Sequence, residues 1–222
     1  KGRIQMRLAE SAREAGNFPY AAKLYRTLAA SQPGNAPLHV ALGDTLTGAG
    51  DFEAAAEAYR DAIAADRFST DARLGLGRVA MQLRQPDLAV VQFGAVVDQS
   101  PHDARGHVGL GVALDTLGRH AEAQKEYRAA LAINPNNKTA ISNLGLSLAL
   151  AGNPAEGEAL LEPLVDGPSS TPRLRQNLAL VLGLKGDGTR AAQLARADLS
   201  EQDVRGNLAF YDAVRHLGPD AP

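Results

Sequence analysis

Apolar, small and turn-forming positions return along this chain at one fixed interval. Leu-Gly falls at Leu42-Gly43, Leu76-Gly77, Leu110-Gly111 and Leu144-Gly145, each pair 34 residues after the one before. In the same phase an aromatic stands at Tyr25, Tyr59, Phe93 and Tyr127, an Ala at Ala21, Ala55, Ala89 and Ala123, and a Pro at Pro33, Pro101 and Pro135. These columns keep one register without insertion, as expected of units that bury their apolar faces only by stacking on their neighbours. Each unit is predicted to be two antiparallel helices. Gly and Ala at the crossing points let the backbones approach, and the aromatic fills the space between one pair and the next.

The punctuation sets the boundaries. Gly16-Asn17, Gly50-Asp51, Gly118-Arg119 and Gly152-Asn153 are expected to end the first helix of their units, because Gly accepts the left-handed cap conformation. Pro19, Pro86 and Pro154 sit near the start of the second helix, where a missing amide hydrogen costs nothing. Pro33, Pro101 and Pro135 stop that helix, and Arg67 replaces this Pro in the second unit. Six repeats follow, at 2–35, 36–69, 70–103, 104–137, 138–171 and 172–205. Toward the C-terminus the pattern decays: Gly157 and Leu161 replace the Ala and the aromatic, Asp166 to Pro172 reads as a turn-rich connection, and Ala195 stands in the aromatic column. Ser200-Glu201-Gln202-Asp203 reads as a capping box that opens a last helix, over 200–217, ended by Gly218-Pro219-Asp220.

This helix-turn-helix period and its columns resemble the tetratricopeptide-repeat family. The resemblance implies an all-α, right-handed superhelical solenoid of about six repeats plus a C-terminal capping helix, built to hold another protein.

Composition narrows the partner. With 23 Lys plus Arg against 25 Asp plus Glu, there is no basic surplus to release counterions from nucleic acid. No apolar run reaches the length of a membrane span. Cys is absent, which removes disulfides, thiolate metal sites and thiol catalysis together. His39 and His107 fall at the fourth position of their repeats, where packing explains them better than metal ligation, and His102 and His107 straddle a predicted loop-to-helix junction without a carboxylate at ligand spacing. The Gly-rich strings at 106–111 and 183–189 lie in a helix and an inter-helix turn, with no preceding strand and no Gly-Lys-Ser/Thr. The reading is therefore no metal, no cofactor and no catalytic residue.

In the family the resemblance points to, positions 5, 6, 9 and 12 of each repeat face a concave groove. Position 5 here holds Met6, Val40, Leu74, Val108, Ser142 and Gln176, the first four forming an apolar stripe. Position 6 holds Arg7, Ala41, Gly75, Gly109, Asn143 and Asn177, so its small residues are expected to open room beside the stripe. Position 9 adds Arg78 and Val112 among others, and position 12 adds Met81 and Asp115. The alternative for each apolar residue is packing within its helix pair. Asn143, Asn177 and Asn207 recur in Asn143-Leu144-Gly145, Asn177-Leu178-Ala179 and Asn207-Leu208-Ala209; an amide offers both a donor and an acceptor to a peptide backbone. The candidate partner-binding residues are Met6, Val40, Leu74, Arg78, Val108, Val112, Asn143, Asn177 and Asn207. The Lys and Asn with which co-chaperone members grip a C-terminal carboxylate are missing, with Met6, Glu10, Val40 and Asp44 in their place.

The C-terminal part carries a narrower resemblance. Arg175 to Val181, Gly186-Asp187, Ala191-Ala192, Asp198-Leu199 and Asn207 to Tyr211 are similar to the tail of the TadD family, lipoproteins of Flp (tight-adherence) pilus assembly. That resemblance implies a pilotin-like, non-catalytic scaffold that holds a segment of the outer-membrane secretin. It also implies a periplasmic location and a membrane link only through a lipid on a Cys upstream of Lys1. A cytosolic adaptor, or the substrate-presenting repeat domain of a larger enzyme, stays open as the alternative.

Overall fold

The computed structural model describes residues 2–168 and 170–217. Among them the chain forms thirteen α-helices and no strand. Two compact units divide it, Lys1–Ala113 and Leu114–Pro222.

In the first unit, α1 (Gly2–Glu14) pairs with α2 (Phe18–Ser31), α3 (Ala36–Ala49) with α4 (Phe52–Ala65), and α5 (Thr70–Gln82) with α6 (Pro86–Gln99). The start of α7 (Ala104–Thr116) follows. Each second helix also packs on the next first helix, α2 on α3 and α4 on α5, so burial is continuous along the stack. Tyr25 and Tyr59 are each 1% exposed, and burying such a ring is worth roughly 1.5–3 kcal/mol. The glycines work as seats for these rings. A Cβ on Gly43 or Gly75 would overlap the Tyr59 ring, and one on Gly77 or Gly109 the Phe93 ring. One aromatic thus rests on its own repeat and on the next. The room expected beside the apolar stripe at Gly75 and Gly109 is consequently filled by Tyr59 and Phe93 rather than open to a partner.

The second unit holds α8 (His120–Ile133), α9 (Lys138–Leu150), α10 (Pro154–Val165), α11 (Pro172–Lys185), α12 (Gly188–Ala195) and α13 (Glu201–Leu217). The decayed columns here have a different packing solution. A Cβ on Gly157 would collide with the carbonyl oxygen of Gly145, so α9 and α10 cross backbone to backbone, and fully buried Leu161 suffices where the other repeats need a ring. Gly183 seats Tyr211 of α13, which covers the apolar face of α11. The box at the start of α13 forms: the Asp203 amide donates to Ser200 Oγ at 3.2 Å and Ser200 Oγ to Asp203 Oδ2 at 2.6 Å. Gly218-Pro219-Asp220, read as its terminator, lies outside the described residues.

Within repeats, Asn17, Asp51 and Asp187 accept at their side chains from Tyr20, Ala54 and Arg190 amides, each such cap contributing about 0.5–2 kcal/mol. Between repeats, position 4 carries a device that the sequence reading missed. His39 Nε2 lies 3.1 Å from the Pro33 carbonyl oxygen, His107 Nε2 lies 3.1 Å from that of Pro101, and Arg73 Nη2 donates to that of Arg67 at 2.8 Å. A donor at this position ties down the turn from the preceding repeat. The signal was present in the constant spacing of six residues between His39 or His107 and its Pro.

Candidate functional site

In the second unit the first turns of α9 and α11 border an open cavity of about 210 Å³. Lys138, Thr139, Ser142, Asn143, Arg173 and Leu174 line it. Asn137 caps α9 through the Ala140 amide at 3.1 Å, and Thr171 caps α11 through the Leu174 amide at 3.2 Å. Both helices therefore present their positive ends beside the cavity. Asn177 Nδ2 donates to buried Ser142 Oγ at 2.9 Å, which joins α11 to α9. Neither Lys138 nor Arg173 makes an ion pair among the described residues. Two cations, hydroxyls and the Asn143 amide around one concavity suit an anionic or amide-bearing segment.

The structure sorts the sequence-predicted residues into different environments. Asn143 borders the cavity, and Asn177 spends its amide donor on Ser142. Asn207 bonds Tyr211 one turn on along α13. In the first unit, Met6 and Val40 are half-buried against the core, and Val108 and Val112 are half-buried on α7. Leu74 is a correction: at 2% exposure it belongs to the core with Ala80, Ala89, Phe93, Val96 and Ala113, and presents no surface to a partner. Its neighbours Gly75 and Gly77 lack side chains, so Tyr59 and Phe93 press onto α5 and enclose it. Arg78 remains exposed, its guanidinium 4.0 Å from Asp44, whose Oδ1 accepts from Tyr59 Oη at 2.7 Å. Burial pushes the Tyr59 phenol up to about 12.

Asp115 is a scaffold residue rather than a groove contact. Its carboxylate accepts from Tyr127 Oη at 2.9 Å, Ser147 Oγ at 2.7 Å and His120 Nδ1 at 2.8 Å. Burial, with the Asp115 charge adding to it, raises the Tyr127 phenol well above its ordinary value. Ser, His and Asp meet here without the arrangement of a nucleophile and base, because the serine donates to the carboxylate and not to the imidazole.

Two ion-pair groups fix α11 and α12. Glu158 of α10 takes Lys185 and Arg190 at 2.6 Å each, and Arg190 also reaches Glu162 at 2.6 Å. The hydrogen bond from Lys185, with that from Arg190, holds the Glu158 carboxyl below the usual range. Arg175 grips Asp198 with two parallel bonds, Nε to Oδ2 at 2.7 Å, and lowers its pKa likewise. Among the described residues no group of three or more His, Asp or Glu is placed to hold a metal, and no helix is long and apolar enough to cross a membrane.

Stacked helix hairpins with ring-on-glycine seats and a polar cavity at helix N-termini define a helical-repeat protein of the interaction-scaffold class. The tetratricopeptide-repeat profile matches residues 6–72, 40–98 and 74–138, and the chain belongs to that family. No curated protein sequence matches it significantly. Among solved structures it is similar to a tetratricopeptide repeat protein from Parabacteroides merdae, with 15% identity, 95% of this chain and 84% of the other covered, and a TM-score of 0.74. It is also similar to TTC0263, a thermophilic TPR protein of Thermus thermophilus, at 22% identity, 79% and 98% coverage and a TM-score of 0.66. A third similar structure is PilF of Pseudomonas aeruginosa, at 20% identity, 84% and 93% coverage and a TM-score of 0.64. At these identities the likeness is one of fold. Tetratricopeptide folds generally serve as non-catalytic scaffolds for protein partners.

Proposed function

We propose that this chain is a non-catalytic scaffold that receives an extended segment of a partner protein at the cavity between α9 and α11. The observation that carries the reading is the cavity's lining, where Lys138 and Arg173 stand without carboxylates beside Asn143 and two capped helix N-termini. A peptide carboxylate or acidic side chain would meet the two cations and the exposed amides, and the Asn143 amide would pair with its backbone. The class of partner follows from the resemblance of the C-terminal string to the TadD family: a segment of the outer-membrane secretin of a tight-adherence pilus, held in the periplasm by a lipid-anchored protein. Several residues of that string, Arg175, Asp187, Asp198 and Tyr211, hold α11, α12 and α13 together around this site.

Co-expression with the secretin of its own pilus locus, followed by affinity capture, tests both levels. Capture is expected, with Asn143→Ala weakening it by about 1–3 kcal/mol and Arg173→Glu by at least as much, while melting temperatures stay within a few degrees. Undiminished capture by both variants places the partner elsewhere on the protein. Absence of secretin capture by the unmodified chain removes the pilus reading.

A further inference from the structure

The first unit holds a second cavity, of about 350 Å³, between α2, α3 and α4. Its walls include Ala29, Leu42 and Ala58, with His39 among the lining residues and the carboxylates Glu57 and Asp61 on the same helix, α4. Arg26 is the one cation that borders it.

His39, only 8% exposed, gives this space a chemical requirement. Its Nε2 contacts the Pro33 carbonyl, which can only accept, so the proton sits on Nε2 and Nδ1 carries a bare lone pair. That Nδ1 is buried and has no hydrogen-bond partner. Asp61 Oδ2 stands 3.9 Å away, and opposite a neutral imidazole it is a second acceptor, not a donor. A buried acceptor left unmatched is costly and uncommon.

The adjacent repeat shows what is missing. Thirty-four residues after His39 stands Arg73, whose guanidinium donates both to the turn carbonyl of Arg67 and, at 3.3 Å, to Gln92 Oε1. Gln92 lies thirty-four residues after Ala58. In the earlier repeat the shorter imidazole keeps the turn bond, and Ala58 supplies nothing in place of the glutamine. The space and one unmatched lone pair remain.

We infer that this cavity binds an arginine side chain of a protein partner. Its aliphatic stem lies along Ala29, Leu42 and Ala58; one guanidinium N–H donates to His39 Nδ1, and the remaining donors reach Asp61 and Glu57. The two carboxylates outweigh Arg26 in setting the sign of the charge that fits. Asp61 must swing away from Nδ1 to admit the guanidinium, and with its side chain 68% exposed it does so at little cost. The site is separate from the cavity of the second unit and stands or falls independently of the secretin reading.

Histidine-ring NMR of the full chain, titrated with N-acetyl-arginine amide as the probe, reads the His39 nitrogens directly. A saturable shift of Nδ1 is expected, with a Kd on the order of millimolar, as suits a single side chain. N-acetyl-norleucine amide, which has the stem without the donors, is expected to bind at least about ten-fold more weakly. Ala58→Gln, which imports the neighbouring repeat's solution, should abolish the response. Should that variant fail to fold, Glu57→Gln combined with Asp61→Asn, both at exposed positions, should weaken the arginine response several-fold. No saturable shift at His39, an equal response to norleucine, or an undiminished response in either folded variant overturns the assignment.

Discussion

At the turn inside each repeat, Gly16, Gly50, Gly118, Gly152 and Gly186 have φ between +72° and +94°, and Arg84, in the same column, has φ of +56°. Only glycine takes this left-handed conformation without its Cβ crowding the backbone, and for other residues the strain is about 1–2 kcal/mol. Arg84 makes no printed side-chain bond that would offset it, and its amide still closes the turn on Met81 at 3.2 Å. Arg84→Gly is therefore expected to stabilise the protein by about 0.5–1 kcal/mol, the strain relieved less the added freedom of glycine when unfolded. Urea denaturation checks this through a higher midpoint at unchanged slope; a lower midpoint contradicts it. The glycine column was readable in the sequence, and its exception was not, because an arginine at a turn carries no sign of the conformation the neighbouring repeats force on it.

Helix crossings supply the next test. Gly94 lies within α6 with open space where a Cβ would go, whereas Gly157 lies within α10 with the Gly145 carbonyl in that place. The same substitution should then act in opposite directions. Gly94→Ala should stabilise by about 0.5–1 kcal/mol through helix propensity. Gly157→Ala should destabilise by about 1–3 kcal/mol, since α9 and α10 must separate to admit a methyl group and Leu161 then loses contacts. Thermal melts of the two variants decide it, and equal shifts would show that the crossing is looser than described. From the sequence, Gly157 and Leu161 read as a decaying pattern. Packing makes them a tighter variant of the same joint, with a smaller residue on the backbone and a smaller one in place of the ring.

For the molecule as a whole, the titrating groups set the pH range of stability. Asp103, Glu158, Asp198 and Glu201 are all held below their ordinary values by hydrogen-bonded Arg or Lys partners. A carboxyl depressed in the folded state contributes stability above its unfolded pKa of about 4, and that contribution is lost as pH falls through the folded value. Tyr25, Tyr59, Tyr127 and Tyr211 are raised by burial. Their contribution is complete below about 10 and is lost as pH rises through the folded values, which for Tyr59 is about 12. The melting temperature should be level between about pH 5 and 9, fall below about pH 4, and fall again above about pH 10. Circular dichroism melts across that range, with tyrosinate absorbance followed in parallel, check both limbs; ionisation of the folded tyrosines at their ordinary value would contradict the upper one.

The sequence by itself determined that the chain is helical, that its helices come in pairs of fixed length, and which family it belongs to. Those properties follow from local chemistry repeated in register: Gly and Pro at helix ends, Ala and Gly at crossings, one large ring per repeat. It also singled out Asn143, which borders the polar cavity. Tertiary structure decided what each inward-pointing residue is used for. Leu74 and Asp115 occupy groove positions by count, yet one is enclosed because Gly75 and Gly77 draw the rings of Tyr59 and Phe93 onto α5, and the other is taken by Tyr127, Ser147 and His120. His39 and Arg73 share a position and a turn contact, and only the lengths of their side chains and the identity of Ala58 against Gln92 leave one of them beside an unfilled cavity. Periodicity fixes which face of a helix turns inward; how closely the next helix approaches that face, and therefore whether a side chain is core, tie or binding surface, depends on partners a repeat or more away in the chain.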